Sequence, residues 1–259
     1  MNFPIYPEKY KIPEMVTAGA MLEFRRKYSG LNHRQAPHGM VLCLYNGLMK
    51  RFAWRHPSRH ITSFQCDLYL LNRTRNRVGV AGNFGMGAPA MTALAEQMVA
   101  WGSRRLINLS LAGCLQSDLE PGSIVLCNGA MRDEGTSYHY LPPARQVAAS
   151  PRLVASISGA LERSHTPYSI GTTWSTDAAY RETQPEADYF RSLGVKTVDM
   201  ESAGLFAVGQ VRGVETASVF VVGDQLTEAR WVLPGDMHAL HQRFKGLLDI
   251  LIGVLKEDN

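Results

Sequence analysis

Short apolar runs that alternate with helical patterns constrain this chain more than any other feature. Segments 40–45, 66–71, 78–81, 106–111, 124–130, 169–174, 197–200 and 217–222 are brief and largely apolar on both faces. Strands of that kind need cover on two sides, as in sheets built from strand–helix–strand units. Helical periodicity occupies 88–101, 151–164, 185–193, 202–212 and a stretch from about Pro234 to Lys256, with Pro89 suited to a first helical turn. The expected fold is α/β, a three-layer α/β/α arrangement around a central mixed, mostly parallel sheet. No repeat, low-complexity tract or Gly/Pro/Ser-rich linker divides the 259 residues, so a single domain over 1–259 is expected. Residues 1–38 read as an N-terminal extension packed on that core. A helix over 14–28 would set Met15, Ala18, Leu22 and Phe24 on or near one side.

Several function classes are disfavoured. The start Met1-Asn2-Phe3-Pro4 has no basic stretch leading into an apolar core, and no run approaches the roughly 18 apolar residues of a membrane span. A cytoplasmic protein without membrane contact is therefore expected. Cys43, Cys66, Cys114 and Cys127 lie far apart with no Cys-x-x-Cys pair, which fits reduced thiols and no metal site. Charge is uneven: residues 1–105 hold 15 Lys or Arg against 5 acids, and the remainder holds 12 against 18. The arginines Arg51, Arg55, Arg59, Arg73, Arg75 and Arg77 are scattered without interleaved aromatics, so nucleic acid is not the expected partner. Anionic substrates or an acidic face on a partner subunit account for the charge equally well.

In such sheets ligands lie beyond the carboxyl ends of strands, so the residues after each strand carry the functional information. Gly82-Asn83-Phe84-Gly85-Met86-Gly87-Ala88-Pro89 is a glycine-rich turn entering a helix, able to present backbone amides to an anion or simply to turn tightly. A dinucleotide reading would require an acid about 20 residues further on. Asn108, Ser110 and Leu111 stand there instead. Ala112-Gly113 again lets a ligand lie against backbone, and 132–140 fits a solvated loop as well as a binding loop. In Val198-Asp199-Met200-Glu201-Ser202 the acids suit helix caps or the gripping of hydroxyls. Asp224 follows a buried strand and suits a turn or an acid catalyst. Nucleoside cleavage would use all of these, because positive charge develops on the ribose ring and negative charge on the departing base. Glu201 would hold the sugar, and Asp224 would donate to the base.

The chain resembles nucleoside phosphorylase family 1, which includes purine nucleoside and uridine phosphorylases and several nucleosidases. The likeness covers roughly 78–231. It rests on Gly85-Met86-Gly87-Ala88-Pro89, Ala112-Gly113 with Pro121-Gly122-Ser123-Ile124-Val125, Arg132-Asp133-Glu134-Gly135-Thr136-Ser137, Ser175-Thr176-Asp177-Ala178-Ala179-Tyr180-Arg181-Glu182, Asp199-Met200-Glu201 and Val222-Gly223-Asp224. The resemblance implies ribose binding by Met200 and Glu201, and a base slot of Ala112, Gly113, Thr176, Tyr180, Asp224 and Gln225. Asp rather than Asn at 224 implies a purine.

The family's phosphate ligands are largely replaced. Tyr45-Asn46-Gly47-Leu48-Met49 stands for an early Gly-Asp-Pro-x-Arg segment, Asn108 for an arginine and Leu111 for a hydroxyl, while Ala179 replaces the stacking aromatic. Gly87, Ser110 and Arg51, or alternatively Arg55, are the remaining phosphate ligands to consider. Asn108 before Ala112-Gly113 is similar to the nucleosidase branch, which uses water. The expectation is phosphorolysis of a purine nucleoside to free base and ribose 1-phosphate. Hydrolysis is the close alternative, and a non-catalytic nucleoside-binding protein is the third. The resemblance further implies a nucleoside and inorganic phosphate as small-molecule partners, no other cofactor, and a dimer or hexamer.

Overall fold

A segment apolar on both faces is stable only where other elements shield each side, and each of the expected strand segments coincides with a strand to within two residues at its start and four at its end. The computed structural model describes residues 4–29, 31, 36–50, 52–226, 231–233 and 235–257. In chain order the strands are β1 (Gly39–Cys43), β2 (Ser58–Ile61), β3 (Asp67–Leu71), β4 (Val78–Gly82), β5 (Arg105–Cys114), β6 (Ile124–Asp133), β7 (Gln146–Ala148), β8 (Ser169–Thr176), β9 (Thr197–Asp199), β10 (Glu215–Leu226) and β11 (Trp231–Val232). The helices are α1 (Ala18–Ser29), α2 (Asn46–Met49), α3 (Phe52–Arg55), α4 (Ala88–Trp101), α5 (Pro151–Arg163), α6 (Gln184–Ser192), α7 (Ser202–Arg212) and α8 (Met237–Glu257). Pro234, the expected start of the last helix, lies outside the described residues.

All eleven strands belong to one mixed sheet. Strands β4, β1, β5 and β10 are parallel neighbours, and β6, β8 and β9 form a second parallel group. Antiparallel pairing of β10 with β6 and of β5 with β9 joins the groups. Because β5 also pairs β10, the strands β5, β10, β6, β8 and β9 close into a ring. Its closure extends β5 and β10 past their apolar runs: Ala112 pairs Val222, Gly113 pairs Asp224 and Cys114 pairs Gln225, with a bulge at Gly223. Polar residues that sequence patterning would leave in loops are thus held in a ladder.

Helices cover both faces. On one, α4 and α7 bury Met91, Leu94, Met98, Leu205 and Phe206 against Leu106, Ala112 and Phe220. On the other, α5 and α8 bury Leu153, Ile157, Phe244, Leu247 and Leu251 against Ile107, Leu109 and Val219. Within α1 only Leu22 is buried, whereas Met15 and Phe24 are exposed. The expected apolar face of that helix is therefore narrower than proposed, and the helix begins at Ala18.

The α4–α7 contact sets the position of the residues that precede α7. A Cβ on Gly204 would lie 2.9 Å from Thr92 Cγ2 and 3.0 Å from Ala88 Cβ. Gly204→Val is accordingly expected to destabilise the fold by about 2 kcal/mol through overpacking, read as a lowered urea midpoint. A glycine tolerated only for want of selection would show no loss.

Candidate active site

The ring brings the carboxyl-terminal parts of β5 and β10 beside β9, which runs antiparallel to β5 and parallel to β8. Asp224 pairs Gly113, Gly113 pairs Val198, and Val198 pairs Trp174, one row across four strands. At about 4.8 Å per strand, Asp224 and Val198 are about 10 Å apart along that row. The next register pair is Ser175 with Asp199, and Thr176, Met200 and Glu201 follow it directly. A side chain at position 113 would meet Leu226, Val198 and, at 3.2 Å, Asp224 Oδ2. Glycine leaves bare backbone beside this carboxylate.

The two acids before α7 divide their work. Asp199 Oδ2 accepts the Ser202 N–H at 2.9 Å, the Glu201 N–H at 3.3 Å and the Ser202 hydroxyl at 2.6 Å, while its Oδ1 accepts the Ser175 hydroxyl at 2.6 Å. This is helix capping, and it falls to Asp199. Glu201 makes no cap bond. Its Oε1 accepts the Gly87 N–H at 2.7 Å and its Oε2 the Met200 N–H at 3.2 Å. A carboxylate offers about four lone-pair directions, so about two stay available.

Burial, and then the Asp199 carboxylate beside it, push the Glu201 carboxyl from 4.5 up to about 7, against the lowering effect of those two amides. Burial also raises Asp199, opposed by its bonds from Ser175 and Ser202. A carboxyl raised in the folded state holds a proton that the unfolded chain has already lost. Stability is therefore expected to fall as pH rises from about 4.5 to about 7. Glu201→Gln should flatten part of that slope in thermal unfolding followed against pH, and an unchanged slope would contradict the burial argument. Only part is removed, because burial and the Asp224 charge hold Glu182 at about 7 as well.

Asp224 is raised by burial and lowered by the Trp231 indole N–H, which donates to Oδ2 at 2.5 Å. Neither Trp231 nor Glu182 was singled out as a site residue from sequence. Glu182 lies in a block carrying the family resemblance, whereas Trp231 reaches Asp224 only because β11 pairs back onto β10 at Gln225 and Leu226.

Other expected site residues are distributed unevenly. Ala112 is buried in β5, and Thr176 Oγ1 accepts the Ala178 N–H at 3.3 Å. The Gln225 amide donates to the Leu119 carbonyl at 3.3 Å. Tyr180 is 99% exposed and walls nothing in this chain. The Gly87 amide, expected at phosphate, is taken by Glu201. Ser110 is buried and accepts from Asn108 Nδ2 at 3.2 Å. Arg51 lies outside the described residues, and Arg55 bonds His241 at 3.1 Å. The places of the missing phosphate ligands are filled differently: Met49 is buried, Tyr45 stacks on Phe244 at 4.2 Å, and Leu111 is 39% exposed.

The loop 132–140 is far from the solvated one that composition permits. Arg132 is buried, donating to Ser137 Oγ at 2.8 Å and to the Pro142 carbonyl at 2.7 Å. Glu134 accepts the Thr136 and Ser137 amides at 2.6 and 2.9 Å. The cysteines are free, with Cys43 and Cys66 pushed up to about 12 and Cys114 to about 11, chiefly by burial. Among the described residues no group of three His, Cys, Asp or Glu is placed to hold a metal, and no helix is long and apolar enough to cross a membrane.

A mixed sheet closed into a five-strand ring, sheathed by helices on both faces and bearing carboxylates on its ring strands, defines a three-layer α/β protein. The chain belongs to the phosphorylase superfamily, whose family model matches residues 56–249. It is 26% identical over 142 residues to the guanosine phosphorylase of Halorubrum lacusprofundi, an alignment covering 55% of this chain and 59% of that protein. The uridine phosphorylase structure from Vibrio fischeri superposes with a TM-score of 0.75 at 22% identity, covering 88% of this chain and 95% of that one. The AMP nucleosidase structure from Bacteroides thetaiotaomicron gives 0.71 at 21% identity, covering 92% and 98%. At such identities the two structures show a shared fold.

Proposed function

We propose that this protein cleaves the N-glycosidic bond of a purine nucleoside, with water as the acceptor, releasing free base and ribose. The observation that carries the reading is the row Asp224–Gly113–Val198, which sets Asp224 two strands from the segment leading into the buried, uncapping Glu201. Ionised Glu201 uses its remaining lone pairs on ribose hydroxyls and opposes the positive charge that grows on the ring. Protonated Asp224 donates to the base nitrogen and lowers the charge that the leaving group carries. Membership of the superfamily and the guanosine phosphorylase relative support purine nucleoside chemistry. Water is preferred over phosphate because Met49, Asn108 and Leu111 stand where phosphate ligands are expected, and the Gly87 amide is occupied by Glu201.

Phosphorolysis is the second reading, favoured by one feature: α4 begins without a side-chain cap, after glycines at φ 94° and 85°, so its N-terminus suits an anion. Product analysis separates the two. Hydrolysis predicts free ribose in phosphate-free buffer at an unchanged rate when phosphate is added. Ribose 1-phosphate formed only in the presence of phosphate would overturn it. A protein that binds purine nucleosides yet releases no base over long incubation would instead be a binding protein.

A further inference from the structure

Apart from Asp224, the nearest side chains around the bare Gly113 backbone are aliphatic: a Cβ there would lie 2.9 Å from Leu226 Cδ1 and 2.9 Å from Val198 Cγ1. An aromatic ring reaches Asp224 from another direction. Trp231 pairs Leu226 across β11 and β10, and residues opposite one another in an antiparallel pair share a face, as do residues two apart along one strand. Trp231, Leu226 and Asp224 therefore lie on one face, where the Trp231 indole N–H donates to Asp224 Oδ2 at 2.5 Å. The indole is held at that one atom and is otherwise bare: the residue is 62% exposed and makes no ring contact with a described residue. Trp101 and Trp174, by contrast, are buried and pack on Phe64 and Phe190. Among the described residues nothing donates to Asp224 Oδ1. One acid thus has one oxygen tied to an uncovered ring and the other oxygen open.

We propose that the Trp231 indole packs against the base of the bound nucleoside and, by holding Oδ2, aims the proton of Asp224 from Oδ1 at that base. The inference rests on the nucleoside-cleaving reading of the same site and adds to it a residue carried by β11. An oxygen that accepts an N–H serves as the acceptor of the carboxyl group, so in the protonated acid the hydroxyl belongs on the other oxygen. Trp231 thereby decides which oxygen donates. The base and the indole are then held by the two oxygens of one carboxyl group, which brings the rings together. Contact between a base and an aromatic ring is tolerant of the base's identity, because every base has a π-face. Trp231 accordingly contributes affinity, and Asp224 selects a base with an acceptor nitrogen. The contact depends on a strand of two residues, since β11 consists of Trp231 and Val232 alone.

The test combines steady-state cleavage of inosine with fluorescence titration of the full chain by the free base hypoxanthine. The chain has four tryptophans, so the contact is read as the part of the fluorescence change that disappears in Trp231→Phe. That variant keeps a ring and loses the N–H: KM should stay within about threefold of the parent, while kcat falls about fivefold, the loss expected for one hydrogen bond. Trp231→Ala removes the ring as well and should raise KM about tenfold or more, the cost of a lost base–aromatic contact. Trp54→Phe, at the other exposed tryptophan, should keep the parent's kinetics and its response to hypoxanthine. The inference is overturned if both Trp231 variants cleave inosine with the parent's KM and kcat, or if the response to hypoxanthine survives intact in Trp231→Phe; cleavage by the parent would still support the nucleoside reading. A parent that releases no base from inosine and yet responds to hypoxanthine through Trp231 loses the cleavage reading and keeps the contact. Neither cleavage nor response overturns both.

Discussion

Glu201→Ala is expected to lower kcat/KM for nucleoside cleavage by about 10³-fold, the upper end of what removal of one preorganised electrostatic partner costs. The carboxylate lies where burial and the neighbouring Asp199 make its charge unfavourable at rest. That cost serves no folding purpose, because the amides at the start of α7 are bonded by Asp199. Deletion removes a buried charge and its repulsion, and at the same time leaves the Gly87 and Met200 amides short of an acceptor. These effects oppose one another, so the change in stability should stay within about 2 kcal/mol. A helix cap would behave in the opposite way, losing stability and keeping activity. Steady-state kinetics beside a denaturation curve on the same variant distinguishes the two.

Asp224→Asn should lower kcat by about 10²-fold with little change in KM, since a proton donor acts mainly in the transition state. Asparagine keeps the size of the side chain and an oxygen for the Trp231 N–H, but it has no proton of the required acidity to give. A second consequence concerns pH: burial raises Asp224 above the usual carboxylate range, so activity should fall as rising pH ionises the donor, and Asp224→Asn should remove that limb of the profile. Glu201 is needed ionised and imposes the acidic limit near its value of about 7. A variant whose KM rises while kcat holds would assign Asp224 to binding alone.

Much of this was legible in the residues. Strands and helices with a strong apolar period were placed within a few residues, because burial on both faces leaves a segment little alternative. Strands β2, β7 and β11 were not, since each pairs a single neighbour and owes its extended form to backbone hydrogen bonds rather than to apolar content. The four-residue helices α2 and α3 are too short to show a period. Within the site, Glu201 and Asp224 could be found from their places after strands and from the family blocks. The division between Asp199 as cap and Glu201 as free carboxylate could not, because both acids precede the same helix and only the hydrogen bonds tell them apart. Trp231 was invisible for a related reason: its partner lies seven residues earlier, across a pairing that no local pattern encodes. The loop at 132–140 reads as polar and is nonetheless ordered through Arg132, Glu134 and Ser137.

The whole account turns on one nucleoside touching both acids, and a crystal structure with a slowly cleaved purine nucleoside examines that most directly. A Glu201 oxygen is expected about 2.6–3.2 Å from a ribose hydroxyl, and an Asp224 oxygen the same distance from a nitrogen of the base. A nucleoside bound with its sugar away from Glu201, or with its base away from Asp224, would contradict it.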